Sequence, residues 1–119
     1  MQTTIFCRTE FEGTHCYPEA PEEVAYLRSE HRHMFGVEVR MDVYHDDREV
    51  EFIMLKHFVS GWIDERLKRG EKVAKLGAMS CEQVAKELII KLEQRFGTAR
   101  HLVVAIDEDG ENGAIVYED

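Results

Sequence analysis

Three histidines carry the most specific chemistry in this chain. His31 and His33 stand two apart in a stretch that alternates apolar and polar residues. In an extended chain a period of two puts both imidazoles on one face, ~6–7 Å apart along the strand. Both can then reach one metal ion. His15 closes an earlier alternating stretch, on the parity that also carries Ile5 and Phe11. If the two stretches pair antiparallel, His15 lies at the same end of the hairpin as His31, and three neutral imidazoles converge. Three protein nitrogens with a fourth position open form the pattern of catalytic zinc rather than of closed structural zinc. The open position takes water or a substrate oxygen, and zinc there polarises or activates the bound group. The chain has six histidines, so a His-x-His pair by itself arises readily by chance. The matching parity of His15 is what raises the pair to a candidate site. Cys16 is a competing ligand, but directly after His15 it should point to the opposite face.

The elements that must position these rings follow from periodicity. Residues 3–15 and 31–45 alternate and read as two strands. Residues 18–30 carry both prolines, Pro18 and Pro21, and read as a loop with at most one helical turn. Residues 45–48 read as a turn and 50–53 as the return arm of a hairpin. The period then changes. Leu55, Phe58, Val59, Trp62, Ile63 and Leu67 predict an amphipathic helix over 54–69 that Gly70 ends. Ser80 with Gln83 makes a capping box that opens a second helix. Its apolar stripe runs from Val84 through Leu88 and Leu92 to Phe96, with Gly97 just past its end. Residues 101–106 read as a buried strand, and 114–117 as a last strand after the turn signals Asp109-Gly110 and Asn112-Gly113. Two hairpins flanking a pair of helices predict an α+β sandwich. One sheet face takes the helices; the other is wet or borders another subunit.

A length of 119 residues predicts one domain spanning 1–119. The formal net charge of −9 argues against nucleic acid and against anionic lipid surfaces. No apolar run approaches the ~20 residues of a bilayer span, so no membrane partner is expected. Met1-Gln2-Thr3-Thr4-Ile5 has neither the basic nor the apolar region of a secretion signal. Three cysteines with no Cys-x-x-Cys pair suit a reducing cytoplasm, which is the expected location.

Several motifs, in order along nearly the whole chain, resemble the 6-pyruvoyltetrahydropterin synthase and 6-carboxytetrahydropterin synthase family. Phe11-Glu12-Gly13-Thr14-His15 is similar to its F-x-A-A-H, and His31-Arg32-His33-Met34-Phe35 to its H-G-H-x-F/Y. Val50-Glu51-Phe52 with Leu55-Lys56 resembles V-D-F-x-x-L-K, and Ser80-Cys81-Glu82 resembles T-x-E at a helix start. Glu108, ahead of Ala114 and Tyr117, resembles the glutamate that anchors the pterin ring. The resemblance implies a T-fold: a four-stranded antiparallel sheet with two helices on one face, in the order ββααββ. It implies subunits that pair into barrels as trimers stacked into hexamers, with sites shared between subunits. It implies Zn2+ on His15, His31 and His33, and a pterin or purine-like ligand on Glu108. Without the resemblance, Glu108 reads equally as a solvated turn acid. Glu82, a further ligand-binding candidate, reads equally as an acid complementing the helix dipole.

The chain departs from the family where protons move. The family's cysteine base, four residues before H-G-H, is Leu27 here, and the middle glycine is Arg32. The family's L-D-H after the first helix has only Asp64, within Ile63-Asp64-Glu65, as a stand-in. A general base must lie within hydrogen-bond reach of the proton it takes. Cys16 would serve if the loop after the first strand folds back, while His45, His57, Asp46 and Asp47 have nothing that places them near the metal. The resemblance therefore implies a zinc-dependent lyase acting on dihydroneopterin triphosphate or a related pterin. Its product would feed deazapurine (queuosine) or biopterin synthesis. The alternatives are a T-fold protein that keeps zinc and a purine-like pocket without the chemistry, or a structural zinc protein with no small ligand.

Overall fold

The computed structural model describes residues 1–118, so only Asp119 of the expected 1–119 domain lies outside it. Strand β1 (Thr3–His15) and strand β2 (His31–Val43) are the two alternating stretches. They pair antiparallel from Thr3 opposite Val43 to His15 opposite His31. A 3-10 segment, Glu22–Arg28, fills the loop between them. Helix α1 (Phe52–Trp62) follows and runs on as a π-type turn over Ile63–Lys68. Strand β3 is Ala74–Gly77, helix α2 is Cys81–Phe96, and strands β4 (Leu102–Glu108) and β5 (Asn112–Glu118) end the described chain.

The sheet has five strands in the order β3-β1-β2-β4-β5, not the expected four. Nor is it purely antiparallel, because β3 pairs parallel with the end of β1, Gly13 opposite Ala74. The register slips between Thr14 and His15, at the end of β1. A four-residue strand is too short for its alternation to stand out, and its partner lies about sixty residues earlier. The other correction concerns residues 50–53. They form no return strand, because the Glu51 carboxylate accepts the backbone N–H groups of Ile53 and Met54, both at 3.1 Å, and caps α1. A carboxylate at that position satisfies orphan donors and favours the positive end of the helix. At the far end Arg69, not Gly70 alone, adopts the left-handed conformation (φ 51°), and its N–H donates to the Asp64 carbonyl at 2.9 Å.

Helix α2 begins as read from the sequence: Ser80 Oγ accepts the Gln83 N–H and Gln83 Oε1 accepts the Ser80 N–H. Both helices cover one sheet face. Phe35, Val39, Met41, Leu102 and Val104 from the sheet meet Leu55, Val59, Leu88 and Leu92 from the helices in one buried cluster. The opposite face carries Arg8 and Arg40 on Glu38, at 2.6 and 2.7 Å, beside exposed Phe6, Ile115 and Tyr117. Where β5 turns back, Gly113 lies against the β4 backbone; a Cβ there would stand 2.6 Å from Asp107 Cα and closer still to the Ile106 carbonyl. Only glycine allows that approach. Among the described residues no helix is long and apolar enough to cross a membrane.

Candidate metal centre

The register of β1 and β2 assembles the site. His15 stands opposite His31, and Gly13 stands opposite His33. Because His31 and His33 are two apart on one strand, all three rings face the helix side at one end of the hairpin. The ring centroids are 4.6 Å apart for His15 and His31, 5.2 Å for His15 and His33, and 5.0 Å for His31 and His33. One ligand nitrogen from each ring lies within 4.8 Å of the others. Zinc requires such nitrogens at ~2.0–2.1 Å from one point.

The floor beneath the rings is aromatic. Phe35 meets His15 and His33 edge-on at 5.1 and 5.7 Å, and stacks on Phe11 at 5.2 Å. Gly13 makes room for it, since a Cβ there would meet the Phe35 ring at 3.0 Å. Outside the triad, two of the rings have a partner that orients them. His31 Nδ1 lies 2.8 Å from the Ser29 carbonyl, and His33 Nδ1 lies 2.7 Å from Asp109 Oδ2. Such outer partners fix the tautomer and direction of a metal-binding imidazole.

The electrostatics favour a neutral His15 ring. Burial lowers the His15 pKa; Glu108 and the Met79 backbone oppose the lowering, and the other two rings add to it. Neutral imidazole is the form that binds a metal. His33 Nε2 is buried and has no hydrogen-bond partner. A buried nitrogen left bare beside two other imidazoles is costly unless something binds it, and a divalent cation meets that need. The residues therefore fit a metal, and the all-nitrogen donor set suits zinc. Glu108 belongs to the same cluster, with its carboxylate oxygens 3.0 Å from His15 Nε2 and 3.5 Å from His33 Nε2.

A cavity of about 580 Å³ opens beside the rings, lined by His15, His31, Cys16, Leu27, Glu82 and Glu108 among others. That volume suits a small heterocycle. A larger groove of about 700 Å³ runs past Arg8, Gly36 and Asp107 and contains no histidine. Cys16 was expected to face away from His15. Instead β1 ends at His15, and Cys16 beyond it donates its N–H to the Gly77 carbonyl at 2.9 Å and lines the cavity. The loop thus folds back. Glu82, exposed in the first turn of α2, also borders the cavity. Asp64 is not brought to it: it is exposed on the π-type turn, 3.6 Å from Lys68. His45 and His57 are likewise exposed and stand outside the cavity lining. Leu27, at the position of the family's cysteine, does face the cavity, so that spot holds an inert side chain.

Sequence reasoning did not single out Cys81 and Asp109. Cys81 is buried at the start of α2 on the cavity wall, and its thiol is pushed up to about 12 by burial and then by Glu108, Glu82 and Asp107. It stays protonated and is no base. Asp109 carries a carboxyl held below its ordinary value, first by the His33 hydrogen bond and then by the Met34 N–H.

No protein-family model matches the sequence, and no curated protein is significantly similar to it. Solved structures are similar. The 6-pyruvoyl tetrahydropterin synthase of Plasmodium falciparum superposes with a TM-score of 0.69 at 13% identity, over 98% of this chain and 97% of that one. A catalytic-residue mutant of the Plasmodium vivax 6-pyruvoyltetrahydropterin synthase gives 0.73 at 12% identity, over 100% and 99%. An uncharacterized protein from Wolinella succinogenes gives 0.67 at 14% identity, over 100% and 99%. At such identities the likeness shows the fold: this chain is built like the tetrahydropterin synthases.

Proposed function

We propose that a chain with the fold of the 6-pyruvoyltetrahydropterin synthases, and with three imidazoles converging beside a small cavity, is a zinc-dependent lyase acting on dihydroneopterin triphosphate or a related pterin. The observation that carries this reading is the cluster of His15, His31 and His33, with ligand nitrogens within 4.8 Å of one another, at the wall of the cavity. When bound, zinc would supply Lewis-acid polarisation of side-chain oxygens of the substrate. The protein supplies the rest. Glu108, on the cavity wall, accepts the amino and ring N–H edge of the pterin, a charge-assisted contact that fixes the ring's orientation. Cys16, which lines the same cavity, would take the proton from the substrate side chain. Glu82 borders the same space and adds a second acceptor. Cytoplasmic trimers or hexamers that close the exposed apolar sheet face belong to the same proposal.

Metal analysis together with turnover of dihydroneopterin triphosphate tests it. One zinc per chain with turnover supports the lyase; a metal-free, inactive protein removes it. A second reading has its own observation. Leu27 replaces the family's cysteine in the cavity and Asp64 stands away from it, which favours a zinc protein that binds a pterin or purine-like ligand without converting it.

Two substitutions separate the roles. Cys16→Ser is expected to lower turnover at least a hundredfold, the lower end of the ~10²–10⁴ that a positioned base contributes, while leaving zinc in place. Full activity in Cys16→Ser would exclude Cys16 as the base. Glu108→Gln is expected to weaken pterin binding by ~1.5–3 kcal/mol, the loss of a hydrogen bond to a charged group. Calorimetric titration with the pterin reads this directly, and an unchanged affinity takes Glu108 out of the ligand contact.

A further inference from the structure

We infer that Asp109 is a positioning residue that holds the His33 ring as the tautomer protonated on Nδ1, leaving a bare Nε2 turned toward His15 and His31. Three bonds tie this turn residue to β2. Asp109 Oδ2 lies 2.7 Å from His33 Nδ1, Asp109 Oδ1 accepts the Met34 N–H at 2.8 Å, and the Asp109 N–H donates to the Met34 carbonyl at 2.7 Å. A carboxylate only accepts, so the proton between Asp109 and His33 belongs to the ring. The backbone helps to aim the side chain. Asp109 sits at φ 58°, a left-handed conformation that Asp and Asn tolerate better than most residues. It follows β4 directly, and β4 pairs with β2 up to Phe35 opposite Glu108, so the turn delivers the carboxylate beside His33.

His33 is held on Nδ1 by a side chain. His31 Nδ1 leans on the Ser29 carbonyl, and His15 has the Glu108 carboxylate 3.0 Å from its Nε2. The Asp109 carboxylate therefore makes the His33 tautomer one that a single substitution can reverse. The other nitrogen, His33 Nε2, is buried and makes no hydrogen bond, although the Glu108 carboxylate lies 3.5 Å away; the bond to Asp109 is therefore what assigns the proton to Nδ1. Carboxylate–imidazole–metal chains raise the ligand's basicity, and losing the carboxylate typically costs 10–100-fold in metal affinity. The metal half of this inference rests on the zinc reading above; the tautomer half does not.

Asp109→Asn is the test. Asparagine keeps the left-handed turn. Its single amide oxygen serves the fixed Met34 N–H, so its NH2 faces His33 Nδ1, which must then accept. The ring proton moves to Nε2 and blocks the metal position. Two-bond 1H–15N spectra of the metal-free protein are expected to show His33 protonated on Nδ1 in the wild type and on Nε2 in Asp109→Asn. Competition with a chromophoric chelator is expected to show zinc bound ~10–100-fold more weakly by Asp109→Asn. Asp109→Gly leaves the ring free to take either tautomer and should fall between the two. Nε2 protonation in the wild type, or one tautomer in both proteins, overturns the inference. If Asp109→Asn fails to fold, the wild-type spectrum decides by itself. A wild type with the Nδ1 tautomer and no affinity for zinc would refute the metal reading and leave the hold of Asp109 on His33 established.

Discussion

His31→Ala is expected to abolish stoichiometric zinc. The ring is one of three whose ligand nitrogens lie within 4.8 Å of one another, and two remaining imidazoles make a poor zinc site. Losing an outer partner costs ~10–100-fold in affinity, and losing a ligand itself should cost more. Elemental analysis after dialysis against apo buffer reads the result as one zinc per chain in the wild type and none in the variant. Thermal melts give an independent measure. A metal that binds the native state stabilises it by about 2.7 kcal/mol at a hundredfold excess over Kd. Excess zinc should raise the wild-type melting temperature and leave that of His31→Ala unchanged. His45→Ala and His57→Ala are the controls, because both rings are exposed and stand apart from the cavity; each should retain full zinc. Retained zinc in His31→Ala would refute the ligand assignment.

Phe35→Ala is expected to destabilise the fold by ~3–5 kcal/mol, the usual cost of deleting a buried aromatic ring. Phe35 is 1% exposed, stacks on Phe11, and supports His15 and His33 edge-on. A cavity there opens directly beneath the imidazoles. Against a total stability of ~5–15 kcal/mol this is a large fraction. Denaturant unfolding followed by circular dichroism measures it, and a loss below ~1 kcal/mol would mean the aromatic floor is dispensable. Phe35→Leu keeps most of the volume and should lose less than half as much. Zinc affinity should fall in step with the packing loss, because the rings lose the surface that orients them.

The two longest strands and the second helix were legible in the sequence for a simple reason. Each buries one face against the same core, so apolar residues recur at the period of the element. β1 matches its alternating stretch from Thr3 to His15, and the Ser80–Gln83 box starts α2 where it stands in the sequence. The histidine triad was legible for the same reason, since parity alone puts His31 and His33 on one face and His15 on the matching parity of its own strand. Glu51 was misread. Flanked by Val50 and Phe52, it fits a strand pattern, and only its bonds to Ile53 and Met54 reveal a cap. Asp109 was invisible as a site residue. In an acidic turn it looks solvated, and its contact is with a ring 76 positions away.

By itself, the sequence determined the residue types, their parity on each strand and the charge of the chain. Those are local properties, set by side-chain chemistry and by the period of an extended or helical backbone. Tertiary structure decided what stands beside what. The β1–β2 register set His15 against His31, and the parallel β3 beside the end of β1 accompanied the return of Cys16 into the cavity. The antiparallel pairing of β4 with β2 carried Glu108 and Asp109 onto the imidazoles. Contacts between residues so far apart in the chain form only when many hydrogen bonds and buried side chains are satisfied together, and no local pattern records that sum.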